Sequence, residues 1–161
     1  MPAKGRGKGS PTVMEAALIA PCGMNCALCG GYLAWKHDVK KEGIRMPYCN
    51  GCRPRGKQCA YLKKWCHHLI GGEVTYCFQC GEFPCRRLTV IDRRYRSRYR
   101  MSMIENLRFM ETKGVDALLR REGEKWECPS CGGVICCHNG ICFDCGLEGL
   151  RTKKKPFRWE D

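Results

Sequence analysis

The chain has 161 residues, 16 of them cysteine, and a formal net charge of +13. Leu, Ile, Val and Phe together account for 29 residues, a share below the roughly 20% that usually supports a well-packed apolar core. A (β/α)₈ barrel is excluded because it needs about 250 residues, and a transmembrane helix is excluded because no apolar run reaches about 18 residues. The sequence therefore predicts a small protein whose cysteines supplement a thin core.

The chemical state of the cysteines depends on the compartment in which the chain folds. The apolar stretch near the N-terminus, Val13 to Ala20, has only eight residues and includes Glu15, so it is too short and too polar for a secretion signal. We therefore expect a cytoplasmic protein with reduced thiols and no membrane association. In that setting, metal ligation explains the cysteines better than a disulfide framework does.

Cysteine spacing supports metal binding, because two intervening residues let one tight turn bring both sulfurs to about 2.3 Å from the same metal. The five pairs with this spacing are Cys26 with Cys29, Cys49 with Cys52, Cys77 with Cys80, Cys128 with Cys131, and Cys142 with Cys145. The predicted metal ligands are these ten residues together with Cys22, Cys59, Cys66 and Cys85.

Composition and periodicity divide the chain into five segments. We predict a basic flexible tail and lead-in at 1–19, a cysteine-rich metal-binding domain at 20–85, a helical segment at 86–125, a zinc ribbon at 126–147 and a basic C-terminal tail at 148–161. The expected fold class is α+β: a small metal-organised domain of cysteine knuckles and short helices, closed by the ribbon.

Helical spacing of apolar residues predicts where the helices lie. Short helices are expected at 26–41 and 60–70, and three helices are expected within 86–125. Ser102 and Glu105 form a capping-box pattern that begins the second of these three, and Gly114 ends it. His67 and His68 are expected at a helix end, where a basic group interacts favourably with the helix dipole, and His37 on a solvated helix face.

The zinc ribbon is predicted from two knuckles separated by ten residues, C-P-S-C-G-G after Trp126 and C-F-D-C-G from Cys142. The Val134-Ile135 run between them favours a β-type hairpin that turns near Gly140. We interpret Cys136, Cys137 and His138 as hairpin residues that pack as small apolar groups or face solvent. A redox role, or a role as substitute ligands, is the alternative.

Residues 20–90 resemble the cysteine-rich domain of unknown function 3795 family. The resemblance rests on C-G-x₂-C-x₂-C from Cys22, C-N-G-C-R from Cys49, the single cysteines Cys59 and Cys66, and C-x₂-C-x₂-F-P-C from Cys77. It implies metal binding and no established reaction.

The spacing alone leaves the metal in 20–85 open between zinc and a [4Fe–4S] cluster, since both accept four thiolates. One partition groups Cys26, Cys29, Cys49 and Cys52, and separately Cys66, Cys77, Cys80 and Cys85, leaving Cys22 and Cys59 over. The C-x₃-C-x₂-C spacing from Cys22 also occurs in radical S-adenosylmethionine enzymes, but those need a partial barrel for which too little chain follows.

Positive charge is concentrated around residues 86–100, where only Asp92 opposes the arginines Arg86, Arg87, Arg93, Arg94, Arg96, Arg98 and Arg100. These side chains could bind nucleic acid or an acidic protein. They could equally offset the protein's own thiolates, since three four-thiolate sites would lower the net charge to about +7.

No nucleophile and base arrangement and no phosphate-binding loop occurs in the sequence. We therefore expect a non-catalytic metal-binding protein, with zinc as the cofactor, acting as an adaptor or nucleic-acid-contacting module. The alternative is an iron–sulfur protein for electron transfer or cluster handling in an anaerobe.

Overall fold

The computed structural model describes residues 14–55 and 66–160. Within these residues the protein is mostly helical. Its α-helices are α1 Gly30–Lys36, α2 Cys52–Arg55, α3 His67–Ile70, α4 Arg86–Tyr99, α5 Met103–Lys113, α6 Val115–Lys125 and α7 Leu147–Thr152. Short 3₁₀ turns lie at Ala16–Leu18, Cys26–Leu28, Val39–Glu42 and Cys77–Gln79. None of the described helices is both long enough and apolar enough to cross a membrane.

The β-structure is limited to isolated antiparallel bridges, which in the described ranges pair Ile19 with Asn25, Glu127 with Val134, and Ile135 with Cys142. The expected α+β class is therefore corrected to a mostly helical small domain. The physical reason is the shortness of the C-terminal hairpin, in which the turns around the cysteines leave room for one bridge on each side rather than for continuous strands.

The three helices expected in 86–125 are present as α4, α5 and α6. The Ser102 hydroxyl accepts a hydrogen bond from the Glu105 amide at 3.0 Å, as a helix N-cap does. The buried Asp92 carboxylate of α4 accepts hydrogen bonds from the Ser102 hydroxyl at 2.7 Å and the Ile104 amide at 3.0 Å. This carboxylate therefore fixes the turn between α4 and α5.

The helix expected at 26–41 is interrupted. The chain instead forms the 3₁₀ turn Cys26–Leu28, then α1, then the 3₁₀ turn Val39–Glu42. Cys29 is extended, with φ −73° and ψ 134°, and Asp38 is left-handed, with φ 48°. Of the helix expected at 60–70, the structure describes only α3, because residues 56–65 lie outside the described ranges.

Two apolar clusters tie distant segments together. In the larger one, Ile19 and Leu28 of the cysteine-rich segment pack with Leu88, Leu107 and Leu118 of α4–α6, and all five are completely buried. In the smaller one, side chains of the α1 region pack with side chains of the C-terminal region; its most buried members are Leu33, Ala34, Val39, Cys136, Phe143 and Leu150. Both ends of the described chain therefore contribute to the core.

The C-terminal segment, expected as a basic tail, is packed against the rest of the protein. Leu150 of α7 is buried, and the Trp159 indole N–H donates to the Cys137 carbonyl at 2.8 Å. The Arg100 guanidinium lies 4.0 Å from the centroid of the Trp159 ring. Apolar and aromatic residues inside this basic segment give it contacts that its charge alone does not suggest.

Candidate metal centres and basic surface

The C-terminal knuckles bring four cysteines into one group. The sulfurs of Cys128, Cys131, Cys142 and Cys145 all lie within 4.8 Å of one another. The Cys128 and Cys145 sulfurs are 3.7 Å apart, and the Cys131 and Cys142 sulfurs are 3.5 Å apart. The prediction that these four residues form one site able to hold a metal is confirmed.

The two knuckles are built in the same way. The Gly132 amide donates to the Cys128 carbonyl at 2.8 Å, and the Gly146 amide donates to the Cys142 carbonyl at 2.7 Å. In each knuckle the third and fourth residues also point their backbone N–H groups at the sulfur of the first cysteine. These residues are Ser130 and Cys131 for Cys128, and Asp144 and Cys145 for Cys142. Each turn therefore supports a thiolate with its own backbone.

The thiols of this site ionise unequally. Burial alone would raise the pKa of Cys128, but the amides of Cys131 and Ser130 and the neighbouring thiols lower that pKa to about 7. Burial, followed by its hydrogen bonds with Cys131 and Cys128, raises the pKa of Cys145 to about 11. Without a cation the four sulfurs therefore do not all become thiolates at neutral pH, whereas a bound dication would remove this opposition.

A cavity of about 300 Å³ lies between α3, the 3₁₀ turn Cys77–Gln79 and the start of α4. Four half-buried cysteines line it: Cys66, Cys77, Cys80 and Cys85. Burial, with repulsion from the other three sulfurs, raises the pKa of Cys77 to about 12. These cysteines are one group of the partition that spacing allows, and their role as ligands stays a prediction.

His68 and Glu82, which were not predicted as metal ligands, lie at the same cavity. Ligand atoms of His68, Cys80 and Glu82 lie within 4.8 Å of one another. The His68 ring is 2.5 Å from Glu73 through Nδ1 and 3.6 Å from Glu82 through Nε2. His67 and His68 lie in the single turn of α3 and so in the last turn of that helix, as expected. The C-H-H run after Cys66 was the available signal.

The other N-terminal cysteines that the structure describes, Cys22, Cys26, Cys29, Cys49 and Cys52, form no compact group of ligand atoms. The Cys52 amide donates to the Cys26 sulfur at 3.4 Å. A Cβ added to Gly31 would lie 3.3 Å from the Cys49 Cβ and 3.9 Å from the Cys29 sulfur. Cys22 is buried, and burial followed by repulsion from Cys77 and Cys52 raises its pKa to about 12. Cys59 lies outside the described residues, and metal ligation by all these cysteines stays a prediction.

Cys136, Cys137 and His138 are buried inside the protein, so the part of the prediction that allowed them to face solvent is wrong. The Gly30 amide donates to Nδ1 of His138 at 3.0 Å, and Nε2 of the same ring lies 3.2 Å from the Tyr95 hydroxyl. Burial lowers the pKa of His138 to about 4. This neutral ring links the C-terminal hairpin to α1 and α4.

His37 is likewise not on a solvated face. It follows α1, stacks at a tilt against Phe143 with 6.0 Å between ring centroids, and lies 4.0 Å from the Asp144 carboxylate. Burial lowers its pKa despite the nearby carboxylate.

The seven arginines of the basic run are exposed. Arg96 forms an ion pair with Asp92 at 2.7 Å, while Arg86, Arg93, Arg94 and Arg98 form no ion pair within the described residues. Arg86 and Arg87 line the cysteine cavity. A groove of about 310 Å³ lies at the other end of α4, lined by Ser97, Arg98, Tyr99, Arg158, Trp159 and Glu160.

Residues 18–90 match the model of a family described as protein of unknown function (DUF3795). This match supports the family resemblance of the cysteine-rich segment. It covers all the cysteines from Cys22 to Cys85 and ends within α4, so it does not include the C-terminal knuckles. No curated protein and no solved structure matches the chain.

Proposed function

We propose that the protein is a non-catalytic metal-binding module in which zinc holds the C-terminal ribbon and the basic helix α4 contacts nucleic acid. The observation that carries this proposal is the closeness of the four sulfurs of Cys128, Cys131, Cys142 and Cys145. The remaining support comes from the geometry of those sulfurs and from the composition of the surface around α4.

The sulfur distances suit one tetrahedral ion. Four thiolates at about 2.3 Å from a zinc ion have sulfur–sulfur separations of about 3.8 Å. The observed 3.5 Å and 3.7 Å lie near that value. In a [4Fe–4S] cluster each thiolate binds a different iron, which holds the sulfurs farther apart. A site closed by four cysteines has no open coordination position, so it stabilises structure rather than performing chemistry.

The hairpin needs such a stabiliser. Its backbone pairing in the described residues consists of one bridge from Glu127 to Val134 and one from Ile135 to Cys142. An isolated hairpin of this kind is at best marginally stable in water. Structural zinc contributes about 10–16 kcal/mol in small zinc modules, which is enough to order the loop.

Nucleic acid is the partner class that the surface favours. Arg94 and Arg98 are exposed one turn apart on α4, and Arg98 shares its groove with Tyr99, Arg158 and Trp159. Guanidinium groups bind phosphates, and aromatic side chains beside them can stack on bases. An acidic protein would also meet the positive charge but would make no use of the aromatic rings.

The metal part of the proposal is tested by measuring zinc in the full-length protein before and after extraction with a strong chelator. Amide hydrogen exchange then reports on residues 126–147. We expect loss of zinc and loss of protection in this segment to occur together, with α5 retaining its protection. A fully protected ribbon in zinc-free protein would contradict the proposal.

The partner part is tested by titrating salt against binding to random RNA, random duplex DNA and a polyglutamate chain. We expect binding to at least one nucleic acid, weakening linearly in a plot of log affinity against log salt. Binding to polyglutamate alone would assign the surface to acidic proteins. Binding to none of the three at low salt would leave the arginines as counter-charges for the protein's thiolates.

A further inference from the structure

We propose that the cavity lined by Cys66, Cys77, Cys80 and Cys85 binds a [4Fe–4S] cluster through these four thiolates. The cavity is separate from the C-terminal knuckles, and the inference does not depend on zinc being bound there.

The size of the cavity favours a cluster over a single ion. Its volume of about 300 Å³ is many times the roughly 10–15 Å³ that holds a single water molecule, so it is larger than one ion needs. All four cysteines are described, and no three of their sulfurs lie within 4.8 Å of one another. The same structure does bring the four C-terminal sulfurs that close. The wider arrangement is the one expected when each thiolate binds a different iron.

The walls of the cavity are apolar on several sides. Leu69, Val74, Phe83 and Leu88 line it together with the cysteines. Leu88 is completely buried and belongs to the main core. Such walls limit the contact of water with a metal–sulfur core on those sides, and solvent exposure is one of the factors that set the properties of iron–sulfur clusters.

The charges around the cavity complement an anionic cluster. A cluster with a 2+ core and four thiolates carries a net charge of −2. Cys85 is the N-cap of α4, so the positive end of a helix of 14 residues faces the site, and Arg86 and Arg87 line the same cavity. A third guanidinium is held nearby: Arg53 donates to the Ile19 carbonyl at 2.6 Å and to the Thr75 carbonyl at 2.9 Å.

Binding of a cluster through these four cysteines would release their thiol protons to solvent.

A single zinc ion bound by His68, Cys80 and Glu82 is the competing arrangement at this cavity. Its weakness is that it leaves Cys66, Cys77 and Cys85 without a role. The histidine itself suits a metal, since Nδ1 lies 2.5 Å from Glu73 and a zinc-bound histidine commonly has such a carboxylate partner. The two arrangements share Cys80, but substitutions of the residues that they do not share, such as Cys77 and His68, can separate them.

The test uses full-length protein expressed with sufficient iron and purified without oxygen, with iron, sulfide and zinc measured for each chain. We expect about four irons and four sulfides, a brown colour, and a Mössbauer spectrum of a [4Fe–4S] cluster from protein labelled with ⁵⁷Fe. Cys77→Ser and Cys85→Ser should lose nearly all iron and sulfide while keeping the zinc of the C-terminal site. His68→Ala is the matched control in the same cavity and should keep the full iron content.

Zinc without iron and sulfide in the wild-type protein would overturn the inference, and so would loss of the metal in His68→Ala with retention in Cys77→Ser. If the cysteine variants fail to fold, the wild-type stoichiometry, the Mössbauer spectrum and the His68→Ala variant still decide. A colourless protein that retains C-terminal zinc would reject the cluster and leave the proposed function standing. A brown protein that contains iron and sulfide but no zinc would support the cluster and reject the zinc site of the proposed function.

Discussion

The two cysteine-rich regions of the protein differ in how closely their sulfurs approach. In the C-terminal region, four sulfurs drawn from a segment of 18 residues, 128–145, lie within 4.8 Å of one another. In the N-terminal region, four cysteines line a cavity of about 300 Å³ without a comparable approach. The first region is assembled by a hairpin and two similar turns, which are local features.

The N-terminal cavity depends on contacts between parts of the chain that are far apart. The Cys77 amide donates to the Pro21 carbonyl at 2.8 Å, and Arg53 donates to carbonyls of Ile19 and Thr75. The start of α4 supplies the remaining wall. A closed site for one ion can therefore form from local sequence alone, whereas the wider cavity exists only when the surrounding core is in place.

The largest expected effect concerns the C-terminal site. In Cys142→Ser, we expect the loss of one zinc per chain and of hydrogen-exchange protection in residues 126–147, because the proposed zinc would stabilise this segment as structural zinc does in small zinc modules, by about 10–16 kcal/mol. Metal analysis and hydrogen exchange on the full chain measure both. Ser130→Ala is the control, since the Ser130 side chain is exposed and only its backbone amide supports Cys128. Unchanged zinc and protection in Cys142→Ser would contradict the closed site.

The next effect tests the link between the two regions through His138. Its pKa falls from an ordinary value of 6.5 to about 4 because the ring is buried. The unfolded chain therefore takes up a proton near pH 6.5 while the folded chain does not. This contribution to stability is fully present above pH 6.5 and is lost as the pH falls towards 4, by about 3 kcal/mol in total.

Urea unfolding of the wild type and His138→Gln across this pH window measures that loss. Glutamine can accept the Gly30 hydrogen bond but does not titrate, so the wild type should lose about 1.4 kcal/mol more than the variant for each pH unit below 6.5. The comparison covers only the pH range over which metal analysis shows zinc still bound, because acid release of zinc would unfold the segment that contains His138. Parallel pH profiles would show that His138 is not held neutral.

A smaller effect is expected where the C-terminal segment packs against the hairpin. Gly140 has φ +72°, and an added Cβ would lie 2.4 Å from the Trp159 ring. Gly43 has a similar φ of +77° with no atom within 4 Å of an added Cβ. Gly43→Ala should therefore cost about 1 kcal/mol for backbone strain alone. Gly140→Ala should cost roughly 1–3 kcal/mol more, because the ring must move.

Denaturant unfolding and the NMR signal of the Trp159 indole N–H report this difference. That N–H donates to the Cys137 carbonyl in the wild type. We expect its chemical shift to change in Gly140→Ala and to stay in place in Gly43→Ala. Equal destabilisation by the two substitutions would mean that the C-terminal segment is held less firmly than its contacts indicate.

The smallest effect on stability belongs to the basic surface. Arg94→Glu with Arg98→Glu should change the free energy of unfolding by less than about 0.5 kcal/mol, because both side chains are exposed and form no ion pair within the described residues. The salt slope of duplex DNA binding should fall by about 2. The control is Arg108→Glu with Arg120→Glu, which changes the net charge by the same amount but on α5 and α6. This variant should retain most of the salt slope. Equal losses from both pairs would indicate a response to net charge alone.

Local sequence signals predicted the elements whose causes are local. Ser102 caps α5 and Gly114 ends it, and both are visible as single residues at the expected positions. The prediction of a continuous helix at 26–41 was wrong because apolar spacing does not reveal the extended backbone of Cys29 or the left-handed backbone of Asp38. The buried hydrogen bonds of His138 were not predicted for a similar reason, since its partners Gly30 and Tyr95 lie far away in the sequence.

The sequence by itself determined the C-terminal four-cysteine site, because its four cysteines belong to two short turns joined by one hairpin. It also determined the helices α4 to α6, through their capping residues and apolar spacing. Only the tertiary structure decided that Cys66, Cys77, Cys80 and Cys85 share one cavity, since spacing allowed several groupings and long-range packing selects among them. The burial of His138 and the docking of Trp159 were decided in the same way, by side chains that meet only after the chain has folded.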